Sequence, residues 1–567
     1  MSIENRAAQL VRQRPSPVTD AGSRNRTLAA GVTILVGLLL VQLYLLWFKS
    51  FNWDEFLHYG QVFAARNGTL DAPFQVLHSR ILFWVPDTAI SIVDQMRIAR
   101  LFMFACTLIT LTAIYGLAQR FTSRENALFA SIAYLSAGYV FTQSFSIRAD
   151  PMAAASLMSA LYLMTCRDKP LASYAAAGAL VGLAGMITMK SVFYAPCFAG
   201  LAWLFWSQSQ EKREALICFS AATLAASLTF GAIYFWHTSG LAPVPEHFSD
   251  TSKFLTGGRR WILPESFPAL KYVVVQGAWG LVFLLGIFCA PYAWRGSKLS
   301  EAHRIALVGL AAPLLTLLFY RNTFPYFFVY LLAPVAVAIS ASWGLLIRRY
   351  GSVALLGSMC IAPAVLATLT PRDVIVRQGA IIDYLRSEYA PGTVYLARSS
   401  MLPDYPRVIS HLATGPGMAG YNQRQRALVA SAFARGELPF ILATGELIIS
   451  ALHGKQDPRG FLAEDVAVMH DHYVRQWGPV YREGEQIEPI AGEQTVVFPR
   501  SGPYTLDGQA VFLDKERIEP GDTVVVRSGA HLIQCEEGCD RKTVFWRGER
   551  LPATPPIVSN GLFYTGF

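Results

Sequence analysis

Apolar runs of bilayer length recur through the first part of the chain and stop near residue 370. A helix crossing the hydrocarbon core needs about 20 mostly apolar residues. The first run is Leu28–Phe48, and others fall near 98–118, 127–144, 151–166, 171–189, 191–206, 216–236, 272–292, 305–320, 326–346 and 351–370. The pattern predicts an α-helical polytopic membrane protein with about eleven spans. Residues 81–93 are also apolar, but Pro86 and Asp87 interrupt them, so they read as interfacial or loop. A polar arm, 1–27, carries Arg6, Arg12, Arg14, Arg24 and Arg26 ahead of the first run. No small-residue cleavage site follows that run, which reads as an uncleaved signal anchor.

Beyond 370 the pattern changes. Val374–Glu388 has helical periodicity and ends before Pro391-Gly392, and Thr393–Ala397 then reads as a strand. Gln423–Arg435 reads as a helix and Phe440–Ala443 as a strand. Residues 371–490 thus predict a small soluble α/β domain. Residues 495–550 alternate like short strands broken by Ser-Gly-Pro, Asp-Gly and Pro-Gly, so 491–567 predict a small β-rich domain. No GxGxxG follows a strand, which leaves a dinucleotide site unsupported.

Composition agrees with this division. Of 567 residues 53% are hydrophobic and 15% charged, against roughly 25% charged in soluble domains. Residues 1–370 hold 28 Lys+Arg and 16 Asp+Glu; residues 371–567 hold 20 and 23. The basic excess lies in short gaps between apolar runs, as the positive-inside rule expects, and not in a nucleic-acid-binding patch. With the arm 1–27 in the cytoplasm, Arg120/Arg124, Arg167/Lys169, Lys212/Arg213, Arg295/Lys298/Arg304 and Arg348/Arg349 all fall inside. The outer turns then hold Arg148, Lys190 and Arg321. Two long loops, 49–97 and 237–271, fall outside, and an odd span count places 371–567 there too. This predicts a cytoplasmic (inner) membrane protein with a periplasmic or extracytoplasmic tail.

Six of the eight cysteines lie in or at apolar runs, where they serve as small hydrophobes. Cys535 and Cys539 form Cys-Glu-Glu-Gly-Cys in the tail. A local disulfide fits an exported domain, with free thiols the alternative. Without a second pair, a four-cysteine zinc site is unsupported.

Four stretches carry candidate chemistry, all at the outer ends of runs. Phe51-Asn52-Trp53-Asp54-Glu55-Phe56-Leu57-His58-Tyr59 follows the first span. Adjacent carboxylates at a membrane surface are costly unless hydrated or paired, although a polar helix exit with a Trp anchor is the plainer alternative. Asp-Glu-x-x-His is not the zinc-protease helix, which needs His at i and i+4. A metal held by Asp54, Glu55 or His58 with a distant ligand stays open. Ser146-Ile147-Arg148-Ala149-Asp150-Pro151 is a tight turn in which Pro151 suits a first helical position. There Arg148 and Asp150 either pair structurally or serve a substrate. Lys190 ends a Gly-containing run, as a snorkelling or a phosphate-binding lysine. Arg321-Asn322-Thr323-Phe324-Pro325-Tyr326 is a fourth, basic turn. Acids beside isolated bases at headgroup depth suit a lipid-phosphate substrate, with Arg and Lys on the phosphate and a carboxylate as base.

A first span followed by Trp-Asp-Glu and a long outer loop resembles the GT-C membrane glycosyltransferases, in particular the protein O-mannosyltransferase and aminoarabinose–lipid A transferase branch. Asp54–Gly60, Arg66-Asn67-Gly68, Ser146–Pro151 and Gly182–Lys190 carry the resemblance, which covers roughly residues 30–345. Where the family often has Pro-Pro-Leu, this chain has His78-Ser79-Arg80-Ile81-Leu82, which marks a divergent member.

The resemblance implies a multispanning catalytic domain over 28–370 that uses a polyprenyl-phosphate sugar and inverts the anomeric carbon. It implies Asp54 as general base and Glu55 as its orienting partner or an ion ligand. It also implies Arg80, Arg148, Lys190 and Arg321 on the leaving phosphate, with Asp150, His58 and His78 in support. Divalent-cation use varies among relatives, and no other cofactor is implied. Glycolipid, polysaccharide and protein acceptors all stay open, and nucleic acid is not expected. The alternatives are a transporter or flippase for lipid-linked glycans, a glycan polymerase or ligase, and a non-catalytic scaffold. A transporter often shows repeated halves and charges at the midplane, and no internal repeat is visible.

Overall fold

The computed structural model describes residues 21–89, 91–166, 168–243, 270–297, 299–320, 322–409, 415–489, 492–535, 543–556 and 563–564. Arg321, Cys539, most of the 237–271 loop and the arm arginines Arg6, Arg12 and Arg14 lie outside the described residues. The described chain forms two compact units, one built from 1–47, 101–236 and 244–370, the other from 48–100, 237–243 and 371–567.

The first unit is helical. Among the described residues, six helices are long and apolar enough to cross a membrane, and up to eight if each of two bent pairs counts as one span. The expected count was about eleven. The difference has local causes. The 127–144 run folds as Arg124–Leu135 and Tyr139–Gln143, parted at Gly138 with φ 48°. The helices Ala149–Leu163 and Ala195–Gln208 have 15 and 14 residues, short of a full crossing at about 1.5 Å per residue. Leu270–Trp279 and Leu281–Arg295 meet at 88°, and Phe327–Ala338 and Ser342–Tyr350 at 77°.

Small residues allow close packing in this unit. Gly178 and Gly182, spaced as GxxxG on the Pro170–Ile187 helix, face backbone atoms of Ala222 and Ala226 on the Lys212–Thr238 helix. A Cβ at either glycine would collide with that backbone, and such close approach is how helices gain packing energy in lipid. The helix Phe327–Ala338 is buried along its whole length. The Tyr134 hydroxyl donates to its Val329 carbonyl at 2.8 Å.

The second unit holds the helix Trp53–Arg66, the helix Asp373–Glu388 and two sheets. The strands are β1 (Tyr395–Ala397), β2 (Phe440–Leu442), β3 (Tyr473–Trp477), β4 (Val480–Gln486), β5 (Gly492–Phe498), β6 (Gly502–Asp507), β7 (Val511–Leu513), β8 (Glu516–Ile518), β9 (Thr523–Val526), β10 (Gly529–Cys535) and β11 (Val544–Arg547). One sheet has the order β1-β2-β4-β11-β6-β9, with β3 also on β4; the other is β5-β10-β7-β8. β11 pairs antiparallel with both β4 and β6, so a single sheet runs through the expected junction at 490. The helix expected over Gln423–Arg435 is divided into Gly415–Arg424 and Leu428–Ala434, next to Gln425 at φ 47°.

The Gln378 amide fixes the entry to the Trp53–Arg66 helix. Its Nε2 donates to the Phe51 and Phe563 carbonyls, each at 2.7 Å, and its Oε1 accepts from Phe51 N at 3.0 Å. Cys535 is disulfide-bonded, and the six other described cysteines are free.

Candidate active site

The helix Trp53–Arg66 begins with a capping box. The Asn52 side chain accepts from Glu55 N at 3.0 Å, and Glu55 Oε2 accepts from Asn52 N at 3.1 Å. This reciprocal pair satisfies two amides that a helix start leaves without intrahelical partners. Phe56, Tyr59 and Val62 are buried on one face of the helix and anchor it. Asp54 therefore sits in the first turn with its backbone fixed, and only 5% exposed.

Glu55 has a second partner. Arg100, at the opening of the Ile92–Ala118 helix, donates through Nε to Glu55 Oε1 at 2.8 Å and through Nη2 to Oε2 at 2.7 Å. It also donates through Nη1 to the Lys49 carbonyl at 2.7 Å and through Nη2 to the Ser50 carbonyl at 2.9 Å. Its guanidinium lies 4.1 Å from the Phe51 ring centroid. Arg100 is 0% and Glu55 1% exposed. Burial alone would push the Glu55 carboxyl up, but Arg100, Lys49 and the Asn52 amide outweigh it, and the group lies below the ordinary carboxylate range. Burial lowers the Lys49 ammonium from 10.5 to about 8, against the opposing pull of Glu55.

Farther along the same unit, the His58 and His78 rings meet edge to face at 4.7 Å. His78 Nε2 lies 3.1 Å from the His58 carbonyl, and His58 Nδ1 lies 3.3 Å from Gln61 Oε1. Arg80 donates to the Gly240 carbonyl at 2.7 Å.

The helical unit holds a separate cluster. Arg148, in extended backbone, precedes the helix Ala149–Leu163, whose first turn carries Asp150 and Pro151. After the Pro170–Ile187 helix, Thr188 caps a short 3-10 turn, Met189–Tyr194, that presents Lys190. Lys190 Nζ bonds Asp150 Oδ1. Arg148 Nε lies 3.8 Å from Asp150 Oδ2, and its guanidinium stacks 3.2 Å from the Tyr326 ring centroid. The Tyr330 hydroxyl donates to the Lys190 carbonyl at 2.6 Å and so holds the lysine's backbone. Two cations thus approach one carboxylate. A cavity of about 940 Å³ lies in the same unit and includes Met189 and Ser191 beside Lys190; its walls are apolar, with Gly182, Val192, Phe198 and Phe230 among them.

The structure brings Arg148, Asp150 and Lys190 together in one unit, while Asp54, Glu55, His58, His78 and Arg80 lie in the other. Arg321 lies outside the described residues. Sequence reasoning missed Arg100 and Lys49, and it named Tyr326 only as the end of the basic turn that begins at Arg321. A signal for Arg100 existed: an arginine entering a long apolar helix requires a partner. Among the described residues, no group of three or more His, Cys, Asp or Glu side chains is placed to hold a metal ion.

Residues 78–235 match the family model described as dolichyl-phosphate-mannose-protein mannosyltransferase, which covers less than half of the chain. No curated protein gives a significant sequence match. Among solved structures, ArnT from Cupriavidus metallidurans in its apo state is similar at TM-score 0.51 and 13% identity, covering 72% of this chain and 92% of that one. The Archaeoglobus fulgidus oligosaccharyltransferase complex with zinc and sulfate gives 0.46 and 11%, covering 88% and 94%. The S. cerevisiae protein O-mannosyltransferase complex bound to the sugar donor gives 0.33 and 16%, covering 42% of this chain and only 36% of that one. The family match over 78–235 and the fold shared with ArnT bear out the likeness first read at Asp54–Gly60: the chain resembles the GT-C superfamily of membrane glycosyltransferases.

Proposed function

We propose that the chain is a membrane glycosyltransferase that moves a sugar from a polyprenyl-phosphate donor to an acceptor hydroxyl outside the cytoplasm. The family match supports the donor class. The observation that carries the assignment of roles is the commitment of Glu55. Both of its carboxylate oxygens are bonded to Arg100, and one also accepts from the Asn52 amide. That geometry supports a positioning role for Glu55, and we assign the base role to Asp54, its neighbour in the same first turn.

In the proposed reaction the acceptor oxygen attacks the anomeric carbon and its proton passes to Asp54. The new oxygen–carbon bond forms as the bond from carbon to the phosphate oxygen breaks, which inverts the centre. The leaving polyprenyl phosphate gains one negative charge, which Arg148 and Lys190 would neutralise; charge-assisted bonds of this kind are about twice as strong as neutral ones. Asp150 holds Lys190 in place until an anion competes for it. Arg80 and Arg321 are proposed as further cations toward the phosphate. The apolar cavity beside Lys190 suits an isoprenoid chain. In the proposed topology the tail 371–567 lies on the outer side with the first outer loop, and their membership of one compact unit supports this.

The test uses purified full chain with undecaprenyl-phosphate mannose labelled in the sugar and outer-envelope material from the source cells as acceptor pool. Label moving into acceptor, with release of undecaprenyl phosphate, is the expected result. Movement of intact donor across vesicle bilayers without cleavage would establish a flippase in its place.

A further inference from the structure

The helical unit contains irregular backbone directly before Arg148. The helix Arg124–Leu135 stops, the chain turns at Gly138, and after the short helix Tyr139–Gln143 it runs without regular structure into Arg148. Residues 127–148 are buried throughout. In a membrane-embedded interior, backbone groups outside a helix ladder are costly unless something else bonds them.

Three side chains from three other helices supply those bonds. Gln276, on Leu270–Trp279, clasps the break at Gly138. Its Oε1 accepts from Tyr139 N at 2.8 Å, and its Nε2 donates to the Ala137 carbonyl at 3.1 Å. The fit needs glycine at 138, where φ is 48° and a Cβ would lie 2.8 Å from Trp279 Cβ. Gln42, on Ala21–Phe48, donates from Nε2 to the Phe141 carbonyl at 2.9 Å and to Ser144 Oγ at 2.8 Å. Thr107, on Ile92–Ala118, donates to the Ser144 carbonyl at 2.8 Å. All three side chains are buried, and all lie in the helical unit.

A plain membrane span needs none of these contacts. An unbroken helix satisfies its own backbone, whereas a broken one brings polar side chains into an apolar interior, each of which must itself be paired. Irregular backbone held in this way collects where a functional group must be aimed. Here that group is Arg148, which follows the last braced residue, Ser144, by four positions. The helix that carries Gln276 also reaches Arg148 by a second route. Its Tyr272 ring lies 6.2 Å from Tyr139 and 5.5 Å from Phe324, and Phe324 lies 5.8 Å from Tyr326. The Tyr326 ring in turn carries the Arg148 guanidinium.

We propose that Gln42 and Gln276 are positioning residues for Arg148: they hold the broken segment so that the guanidinium meets a lipid phosphate. The proposal rests on the reading of Arg148 as a phosphate ligand, and it can fail while that reading stands.

The experiment measures binding of undecaprenyl phosphate to the purified full chain in detergent micelles. It compares the wild type, Gln276→Leu, Gln42→Leu and Arg148→Ala with the two doubles that join each glutamine change to Arg148→Ala. Leucine keeps much of the side-chain size and removes the amide. Each glutamine variant should weaken binding roughly 10-fold, within the range for residues that act through a partner. In the Arg148→Ala background neither should weaken it further, because the residue they aim is gone. Braces that served the fold alone would lower affinity as much in that background, and such additive losses overturn the proposal. Unchanged affinity in both glutamine variants overturns it as well. If Gln276→Leu does not fold, the Gln42→Leu cycle decides. In transfer assays the same variants should raise the donor KM and leave kcat near the wild-type value. Wild-type binding by Arg148→Ala would sink the phosphate-ligand reading and this inference with it. Weakened binding by Arg148→Ala with additive glutamine losses would sink this inference alone.

Discussion

The Glu55–Arg100 pair and the Asp150–Lys190 pair are both acid–base contacts beside apolar helices, yet they are built differently. Arg100 spends its donors on four defined bonds, to both Glu55 oxygens and to the Lys49 and Ser50 carbonyls. It is completely buried, with Glu55 1% exposed. The other pair is less closed. Asp150 lies between two cations, one of them at 3.8 Å, and Lys190 is 11% exposed. The Tyr326 ring stacks on the Arg148 guanidinium. A closed bidentate pair fixes a backbone. On the proposed function the first arrangement serves architecture and the second serves binding of the donor phosphate.

That contrast can be broken by substitution. Arg100→Met should have the largest effect on the fold, because it leaves the Glu55 charge buried without its guanidinium. Losing one partner of a buried pair costs about 3–5 kcal/mol. The readout is the unfolding midpoint in detergent, and an unchanged midpoint would show the pair to be dispensable. The double change Arg100→Met with Glu55→Gln should recover part of the loss.

Lys190→Ala should leave folding nearly intact and act on the donor. Losing one charge-assisted bond is worth about 1.5–3 kcal/mol, or roughly 10- to 100-fold in donor KM, with a smaller change in kcat. If KM for undecaprenyl-phosphate mannose is unaltered, Lys190 does not contact the phosphate. Asn52→Ala should cost about 1 kcal/mol of stability, the usual worth of an N-cap. A loss of activity larger than that of stability would then measure how strongly the cap positions Asp54.

The dependence on pH probes the same buried charges by another route. Glu55 lies below its ordinary pKa in the folded chain, so its contribution is full above the unfolded value and is lost as pH falls through the folded one. Lys49 behaves in the other sense. Its folded value of about 8 lies below the ordinary 10.5; between them the unfolded chain holds more protons and stability rises with pH. Lys49→Met should flatten that alkaline rise and leave the acid limb in place. A profile unchanged by the substitution would contradict the Lys49 assignment.

Local sequence made part of this legible. Asn52, Asp54 and Glu55 are adjacent, and their order already spells a helix start. Arg148, Asp150 and Pro151 likewise read as a turn entering a helix. The sequence marks Asp54 and Glu55 equally, however, because Arg100, the partner of Glu55 on which their proposed roles differ, lies 45 positions away. Lys190 and Asp150 are 40 apart, and only folding shows that they meet. Apolar length also conceals bends. Leu270–Trp279 and Leu281–Arg295 form one continuous apolar run, and nothing in its composition reports the 88° turn between them. A cavity of about 520 Å³ in the second unit was invisible for a related reason, because its walls come from residues 57–72 and 392–407, far apart in the chain.

The most direct test concerns Asp54, the proposed base. Asp54→Asn should be compared with the wild type in single-turnover transfer from undecaprenyl-phosphate mannose, with the unfolding midpoint of each recorded. General-base catalysis contributes about 10²- to 10⁴-fold. The account predicts a fall of that size in the transfer rate, with donor affinity and midpoint unchanged. Wild-type transfer by Asp54→Asn would contradict it.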